Sequence, residues 1–470
     1  MMINRMIARL SVLCYMLLAI TANAQMTILV ANTPQLTPLR DTLYVAGSFN
    51  NWNPRDDNYR MELGPNGYSV SITGMTGTTY NYKITRGNWP TVEGSATGGF
   101  IADRSLVYQS GATETISVLG WEDIGGNPTV TEHVRILDSN FHIPQLQRNR
   151  RIWISFPPDY FTSANYYPVI YMHDGQNVFN AGTSFSGEWR VDESMTNELQ
   201  NACSQSIIVA IDNGGGERLN EYAPWTNTQY NQGGQGNEYC SFLVNTLKPF
   251  IDANYRTLSD RSNTAIMGSS LGALISAYAA FSYPEVFGKV GLFSPAYWFN
   301  PEIFDLGENH DNLPGTLVYH VCGTNEGNGS VLDDQNEMIQ NLQNNGYPSD
   351  ELQSLDWADG AHSEWFWDRE FPAAYTWLID CSSNQSDLII SKDLRLFPNP
   401  ADTSFEIQSS GDRIVSLEIL SQEAKAVRWE RYFEHFYSLK QDVSELNSGV
   451  YFVVIGLDSG KRYTFRLIKK

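Results

Sequence analysis

The stretch from about residue 133 to residue 380 alternates short apolar segments with segments of helical periodicity. The apolar segments lie at 166–175, 206–214, 264–270, 289–298 and 316–323. Between the second and the third, residues 238–255 place apolar side chains on one side of a helix. Strands that are apolar throughout and alternate with helices are typical of a parallel sheet covered on both faces. The sequence therefore predicts an α/β domain with a mostly parallel sheet over 133–380.

The chain on either side of this stretch has the pattern of β structure. Residues 26–120 contain strand-like segments separated by turn clusters such as "NNWNPRDDN" and "LGPNG", which predicts a small β-sandwich. After a polar linker at 381–390, residues 391–470 contain further strands, among them "GVYFVVIGL". A chain of 470 residues is long enough for these three domains.

The first 24 residues have the pattern of a targeting segment. A basic start is followed by the apolar run "LSVLCYMLLAI" and by "ANAQ", which fits the small residues that a signal peptidase requires. The run is short for a membrane span, so we predict a signal peptide cleaved after Ala24, with a retained anchor as the alternative. No later segment is apolar enough to span a bilayer. The mature chain is expected to be secreted or held at the cell surface after export through the periplasm.

Charge and cysteine content exclude several classes of partner. The formal net charge is -21, which disfavours nucleic acid and suits neutral or carbohydrate-like substrates. Four cysteines remain after cleavage: Cys203, Cys240, Cys322 and Cys381. They allow three pairings or free thiols, and the sequence leaves this open. Without a CxxC motif or a Cys/His cluster, neither a metal nor a cofactor is expected.

Residues 267–274, "MGSSLGAL", contain a G-x-S-x-G match centred on Ser270. A strand-like segment precedes it and a helix-like segment follows, so the serine would lie on a sharp strand-to-helix turn. That turn requires small neighbours, here Gly268 and Gly272, and the helix start directs N–H groups at developing negative charge. We predict Ser270 as a nucleophile. The alternatives are a structural turn, and Ser269, whose spacing to the glycines does not fit.

A nucleophilic serine needs a base, usually histidine, and four histidines follow Ser270 in the chain. His435 belongs to the third domain, His320 lies inside a strand, and His310 lies in a polar stretch expected to be a solvated loop. His362, in "DWADGAHSEWFW", follows the last strand and precedes an aromatic helix. We therefore predict His362 as the base.

The acid and the oxyanion hole are predicted from chain order. The acid should follow the strand that ends in "VCG", which favours Glu326, with Asp333 as the second candidate. Its role would be to hold the histidine tautomer. One oxyanion amide should come from Leu271, directly after the nucleophile. The other should come from Gln176 or Gly175, in the loop "YMHDGQN".

Together these stretches resemble the putative esterase family of α/β-hydrolases, which includes feruloyl, acetyl-xylan and enterochelin esterases. The matching pieces are "YPVIYMHDGQNVF", "GEWRVDE", "NEYAPW", "FIDANYRT", "MGSSLGA" and "GAHSEWFW". The resemblance implies an α/β-hydrolase fold, with Ser270 as nucleophile and His362 as base. Many relatives have Asp as the acid, whereas this chain has "GTNEG". The resemblance to this family also implies hydrolysis of feruloyl or acetyl esters on plant polysaccharides. The alternatives are a siderophore esterase and a noncatalytic surface protein that binds glycans.

The flanking domains also resemble known modules. Residues 42–110, with "VAGSFNNWNP" and "YKITRGNW", resemble starch-binding-like β-sandwiches. Trp52 and Trp89 would then stack on sugars, or they would belong to the core of a docked structural domain. Residues 394–470, with "LRLFPNPA" and the basic C-terminal strand, resemble the sorting domain of Bacteroidetes type IX secretion. That resemblance implies the type IX machinery as a partner, with a second carbohydrate-binding sandwich as the alternative.

Aromatic residues are frequent near the predicted catalytic face, where a ring-rich pocket suits a feruloyl group or a sugar and where core packing is the alternative. We predict Trp189, Trp225 and Asp174 as substrate-binding. The same face is expected to carry Trp298, Trp365 and Trp367. The Gly-rich loop at 213–225 could cover the site, and its Arg218 and Glu221 could pair with each other.

Overall fold

The computed structural model describes residues 25–124, 128–199, 205–379, 394–397, 401–409, 412–420, 426–447, 449–458 and 462–470. These residues cluster into two compact units. The first runs to Leu378 and holds both the N-terminal β structure and the α/β domain, while the second begins at Ile379. The predicted signal peptide and the 381–390 linker lie outside the described residues, as do Cys203 and Cys381.

The N-terminal region is a β-sandwich. Its strands are β1 Met26–Asn32, β2 Tyr44–Gly47, β3 Glu62–Gly64, β4 Gly67–Ile72, β5 Thr79–Thr85, β6 Glu93–Gly94, β7 Arg104–Val107, β8 Thr113–Ser117 and β9 Gly120–Trp121. One sheet has the order β3-β4-β1-β8 and the other β2-β5-β7, with β6 and β9 paired separately. Side chains from both sheets, such as Ile28, Val45 and Ile84, share one buried core.

The sandwich is docked on the α/β domain through the segment at 35–41. The Leu39 amide donates to the Ile136 carbonyl at 2.9 Å. The Arg40 guanidinium pairs with Asp138 at 2.8 Å and lies over the Phe250 ring, 4.9 Å from its centroid. Polar and cation–π contacts thus cover one edge of the α/β domain with the first domain.

The α/β domain is built on an eight-stranded sheet. Its strands are β10 Val134–Ile143, β11 Arg148–Ser155, β12 Val169–His173, β13 Ile207–Ile211, β16 Thr264–Ser269, β17 Lys289–Phe293, β18 Leu317–Gly323 and β19 Leu352–Trp357. A small hairpin, β14 Thr226–Asn227 and β15 Gln232–Gly233, lies outside the sheet. The order is β10-β11-β13-β12-β16-β17-β18-β19, and β11 runs antiparallel to both of its neighbours. The five predicted strands are confirmed, and so is the mostly parallel α/β-hydrolase fold.

The helices pack on this sheet. They are α1 Val191–Glu193, α2 Arg218–Glu221, α3 Gly236–Phe242, α4 Lys248–Asn254, α5 Leu271–Ser282, α6 Glu302–Asn309, α7 Ser330–Asn344 and α8 Glu364–Ile379. A π-helical turn, Leu243–Leu247, joins α3 to α4, so the predicted helix at 238–255 is present. Phe242, Leu247 and Ile251 are fully buried in the core, as the apolar spacing indicates.

The second unit contains β20 Leu394–Phe397, β21 Ser404–Ser409, β22 Ile414–Leu420, β23 Ala426–Phe436, β24 Ser438–Asp442, β25 Gly449–Leu457 and β26 Arg462–Lys469. They form two sheets, ordered β20-β21-β24 and β23-β22-β25-β26, around one buried core. The additional β-rich region expected at this end of the chain is therefore present.

No helix in the described part of the chain is both long enough and apolar enough to cross a membrane. Of the cysteines, Cys240 and Cys322 are buried free thiols, and burial raises the pKa of each above its usual range.

Candidate active site

Ser270 lies between strand β16 and helix α5 in a strained backbone conformation. Its φ is 57° and its ψ is -122°, a region that residues other than glycine rarely occupy. The turn is tied to the neighbouring strand β17, because the Ser270 amide donates to the Phe293 carbonyl at 2.9 Å. The side chain is thereby presented at the carboxyl end of the parallel strands, where sheets of this class place ligands.

Steric crowding explains why glycine occupies positions 268 and 272 beside this turn. A Cβ on Gly268 would lie 2.7 Å from the backbone of Gly272, a distance that side chains do not tolerate. A Cβ on Gly272 would lie 3.3 Å from both His173 and Asp174. The close approach of the turn to its own helix therefore excludes larger residues at 268, and His173 and Asp174 crowd them at 272.

His362 lies on the loop between β19 and α8, and Glu326 follows the end of β18. The Nδ1 atom of His362 is 2.8 Å from Oε2 of Glu326. Glu326 is buried, and its Oε1 accepts hydrogen bonds from the Gly323 amide at 2.7 Å and the Ser294 hydroxyl at 2.9 Å. Trp367 Nε1 in turn donates to Ser294 Oγ at 2.9 Å. The carboxylate is thus fixed on one side and presents its other oxygen to the imidazole.

Ser270 and His362 line one cavity of 720 Å³. Among the described residues, no hydrogen bond joins the Ser270 and His362 side chains. Hydrogen bonds between catalytic groups are often long without substrate and tighten when it binds. The His362 side chain is 42% exposed, so its Nε2 edge remains accessible from the cavity. Asp333, the second candidate for the acid, is exposed on helix α7, whereas the hydrogen bond of His362 Nδ1 goes to Glu326.

Of the two candidate oxyanion residues, Gln176 lines this cavity, and Leu271 directly follows Ser270, which also lines it. Leu271 is the first residue of α5, where an amide has no acceptor within the helix. Gln176 lines the cavity, in the 3-10 turn Gly175–Asn177. Its side chain accepts a hydrogen bond, since Oε1 of Gln176 takes the Asn213 amide hydrogen at 3.1 Å.

Asp174 lines the cavity as a partner of Arg218. Two hydrogen bonds of 2.7 and 2.8 Å join the carboxylate to the guanidinium, and Asn213 donates a third at 2.6 Å. Burial opposes ionisation of Asp174, but Arg218 and these bonds outweigh it and lower the pKa. The expected pair of Arg218 with Glu221 is wrong, because Glu221 instead binds Arg150 at 2.6 Å.

The tryptophans of the predicted pocket divide between core and surface. Trp189 is buried, and its ring centroid lies 4.9 Å from that of Phe293. Trp225 packs against Tyr278. Neither tryptophan lines the cavity, which differs from the expectation. Trp298 and Trp365 are half-exposed and do not line it either. Trp367 does line it.

Several residues of the site were not predicted from the sequence, among them Phe185, Glu364 and Ser294. Phe185, at the cavity, is 91% exposed, and Glu364 lines the cavity with a pKa that burial raises above its usual value. Ser294 contacts Glu326 and is fully buried. The small residues after β17, "FSPAY", were the one available signal for Ser294.

The other histidines have structural surroundings. His320 is buried with Nε2 at 2.8 Å from the Tyr297 hydroxyl, and burial lowers its pKa to about 3. The expectation of a solvated loop at His310 is wrong, because this histidine is buried, stacks on Phe281 and bonds Tyr347 at 2.7 Å. His435 lies in strand β23 of the second unit.

Trp52 and Trp89 line a separate cavity of 320 Å³ in the N-terminal sandwich. Their ring centroids are 6.3 Å apart, and neither residue belongs to the buried core. Phe100, in the same cavity, is mostly exposed. The rings of Trp52, Trp89 and Phe100 therefore form an accessible aromatic surface on this domain.

The family model of the putative esterases matches residues 143–378, about half of the chain. The chain belongs to the putative esterase family. This family region contains the Ser270 turn, Glu326 and His362. Residues 395–470 match the model of a secretion system C-terminal sorting domain, which indicates secretion or export to the cell surface.

Individual proteins resemble parts of this chain. The uncharacterized protein YbbA of Bacillus subtilis (strain 168) is 28% identical over 253 residues, which cover 51% of this chain and 96% of YbbA. An α-amylase of Niallia circulans is 39% identical over 94 residues, 20% of this chain but only 7% of the amylase. A solved structure of a ferulic acid esterase aligns with 18% identity and a TM-score of 0.42, covering 53% of this chain and 99% of that one.

Proposed function

We propose that this member of the family is a serine carboxylic ester hydrolase that works through an acyl-enzyme. The observation that carries the proposal is the convergence of the strained Ser270 turn and the Glu326–His362 pair on one cavity. A strained serine beside a carboxylate-held imidazole is the arrangement that nucleophilic acyl transfer requires.

The proposed reaction has two halves. His362 Nε2 takes the proton from Ser270 Oγ as Oγ attacks the ester carbonyl, and Glu326 stabilises the imidazolium. The amides of Leu271 and Gln176 bind the oxyanion. His362 then returns the proton to the leaving alcohol. In the second half, His362 Nε2 takes a proton from water as the water oxygen attacks the acyl carbonyl. His362 then gives that proton to Ser270 Oγ as the bond between Oγ and the acyl carbon breaks and the free acid leaves.

The residues that line the cavity favour a substrate in which a neutral aromatic or small acyl group is esterified to a carbohydrate. Phe185 and Trp367 supply apolar surface, while the two arginines that line the cavity are already neutralised. Arg151 pairs with Asp212 at 2.8 Å, and Arg218 pairs with Asp174. An anionic catecholate siderophore would need free cations here, so we favour feruloyl or acetyl esters of plant polysaccharides.

Hydrolysis of p-nitrophenyl acetate and methyl ferulate tests this proposal. The chain from residue 25 should hydrolyse at least one of them, and Ser270→Ala should lower kcat/KM by at least about 10³-fold. Ser269→Ala, next in the chain, is the matched control and should lose less than about tenfold. Activity that survives Ser270→Ala would contradict the assignment, and activity only on a triscatecholate lactone would favour the siderophore alternative.

We also propose that the N-terminal sandwich binds glycan through Trp52, Trp89 and Phe100. Exposed rings around a cavity can stack on sugar faces, which supports a glycan as the ligand. Electrophoresis through gels containing soluble starch or xylan tests this. The Trp52→Ala/Trp89→Ala variant should lose retardation, while Trp298→Ala, which removes a half-exposed ring outside both cavities, should keep it. Equal retardation of all three proteins would contradict the proposal.

A further inference from the structure

A cluster of three carboxylates lies outside the catalytic cavity. Glu188, Asp192 and Glu193 each place one oxygen so that all three oxygens lie within 4.8 Å of one another. The cluster follows directly on the segment that carries the cavity residues Phe185 and Ser186. The proposed hydrolysis uses none of the three.

Several oxygens in this cluster lack a hydrogen-bond partner although they are buried. Asp192 is only 1% exposed; its Oδ2 accepts from the Thr131 amide at 2.6 Å, but its Oδ1 has no partner. The buried Oε2 of Glu193 and the buried hydroxyl of Thr131 are also without partners. Buried polar atoms are nearly always paired, so three unpaired oxygens around one cluster point to a missing positive ligand.

Protein cations do not neutralise the cluster. Among the ion pairs of the described residues, the one that reaches it joins Arg190 Nε to Glu193 Oε1 at 3.9 Å, and that arginine is 56% exposed. Three carboxylates this close repel one another strongly unless a positive charge lies between them.

We propose that Glu188, Asp192 and Glu193 bind one Ca²⁺ ion. All available donors are oxygen atoms, and Ca²⁺ accepts an irregular set of carboxylate, hydroxyl and water oxygens. Mg²⁺ demands near-octahedral geometry and retains its waters, so it should bind more weakly. The Thr131 hydroxyl is available as a further ligand.

The ion would stabilise the connection between the first two domains. Thr129 Oγ1 donates to Glu188 Oε1 at 2.8 Å, and the Thr131 amide donates to Asp192. Both threonines belong to the segment that precedes β10, and the carboxylates belong to the segment that follows the cavity loop. Ca²⁺ binding is thus expected to raise Tm without taking part in the reaction, so this inference does not depend on the proposed esterase activity.

Calorimetric titration of the chain from residue 25 with CaCl₂, after removal of metal with EGTA, tests the proposal. We expect one saturable site per chain and a higher Tm at about 1 mM Ca²⁺. Asp192→Asn should weaken binding by at least about tenfold. Glu188→Gln, at a less buried position, serves in the same way if the first variant does not fold. Glu132→Gln removes an exposed carboxylate beside Thr131 and should leave binding unchanged.

Three results would overturn the proposal. The first is a wild-type chain with no saturable heat and no change in Tm on addition of Ca²⁺, in which case the carboxylates share protons instead. The second is undiminished binding by folded Asp192→Asn. The third is displacement of Ca²⁺ by an equal concentration of MgCl₂, which would contradict selection for the larger ion.

Discussion

The substitution Glu326→Gln isolates what the buried carboxylate does for His362. Oε1 of Glu326 accepts from the Gly323 amide at 2.7 Å and from the Ser294 hydroxyl at 2.9 Å, while Oε2 faces Nδ1 of His362 at 2.8 Å. The Gly323 amide can only donate, so the carbonyl oxygen of the new glutamine must take the Oε1 position. Its NH₂ group then points at the histidine.

That orientation reverses the histidine tautomer. An NH₂ group cannot accept a hydrogen bond, so Nδ1 must give up its hydrogen and Nε2 must carry it. An Nε2 that carries hydrogen cannot take the proton of Ser270. Loss of the carboxylate charge alone would cost about 1.5–3 kcal/mol, or roughly 10–150-fold. A wrong tautomer costs about 10⁴-fold, or about 5.4 kcal/mol, and is therefore expected to dominate.

Steady-state kinetics on a p-nitrophenyl ester measure this effect. We expect kcat of Glu326→Gln to fall by about 10³–10⁴-fold with KM little changed, because the buried amide leaves the cavity walls intact. Asp333→Asn, at the exposed second candidate, is the matched control and should remain within a few-fold of wild type. A folded Glu326→Gln enzyme that loses less than about tenfold, or an Asp333→Asn enzyme that loses about 10³-fold, would refute the reasoning.

Three further outcomes follow from the backbone and the core. Ser270→Gly should abolish activity yet raise the free energy of unfolding by about 1 kcal/mol in urea titrations, because glycine relieves the strain at φ 57° at a smaller entropic cost; a loss of stability would contradict this. Gly268→Ala should destabilise by about 1–3 kcal/mol, since its Cβ would lie 2.7 Å from Gly272, and an unchanged Tm would exclude the clash. Burial lowers the pKa of His320 to about 3, so the unfolded chain binds a proton that the folded chain refuses, and stability falls as pH drops below about 6.5. The loss from this group should be about 2 kcal/mol between pH 7 and pH 5, and His320→Gln should flatten unfolding curves recorded across that range; an unchanged slope would contradict it.

The fold could be predicted where strands are apolar on both faces. Buried parallel strands such as Ile207–Ile211 have a continuous apolar sequence that few other structures explain. Strand Arg148–Ser155 was not resolved from the sequence because its first half, "RNRR", is charged. Those arginines form ion pairs with carboxylates distant in the chain, for example Arg150 with Glu221. The local sequence does not predict such a pairing.

The candidate site shows the same division between local and distant causes. The Ser270 turn is a local matter of strain and small neighbours, so its position follows from a few residues of sequence. The Asp174–Arg218 pair joins two loops 44 positions apart, and sequence reasoning paired Arg218 with the wrong carboxylate. Tryptophan positions were equally undetermined, because a ring with one polar atom suits a core and a pocket alike, as Trp189 and Trp367 show.

The hydrogen bonds around Glu326 explain the spacing of residues within "GAHSEWFW". His362 lies on the loop, α8 begins at Glu364, and Trp367 follows within the first turn of that helix. From there its indole N–H reaches the Ser294 hydroxyl at 2.9 Å, and Ser294 in turn donates to Glu326. Trp367 therefore supports, through two hydrogen bonds, the Glu326 carboxylate that holds His362. The motif joins two requirements, because the loop supplies the imidazole and the first turn of the helix fixes the oxygen that orients it.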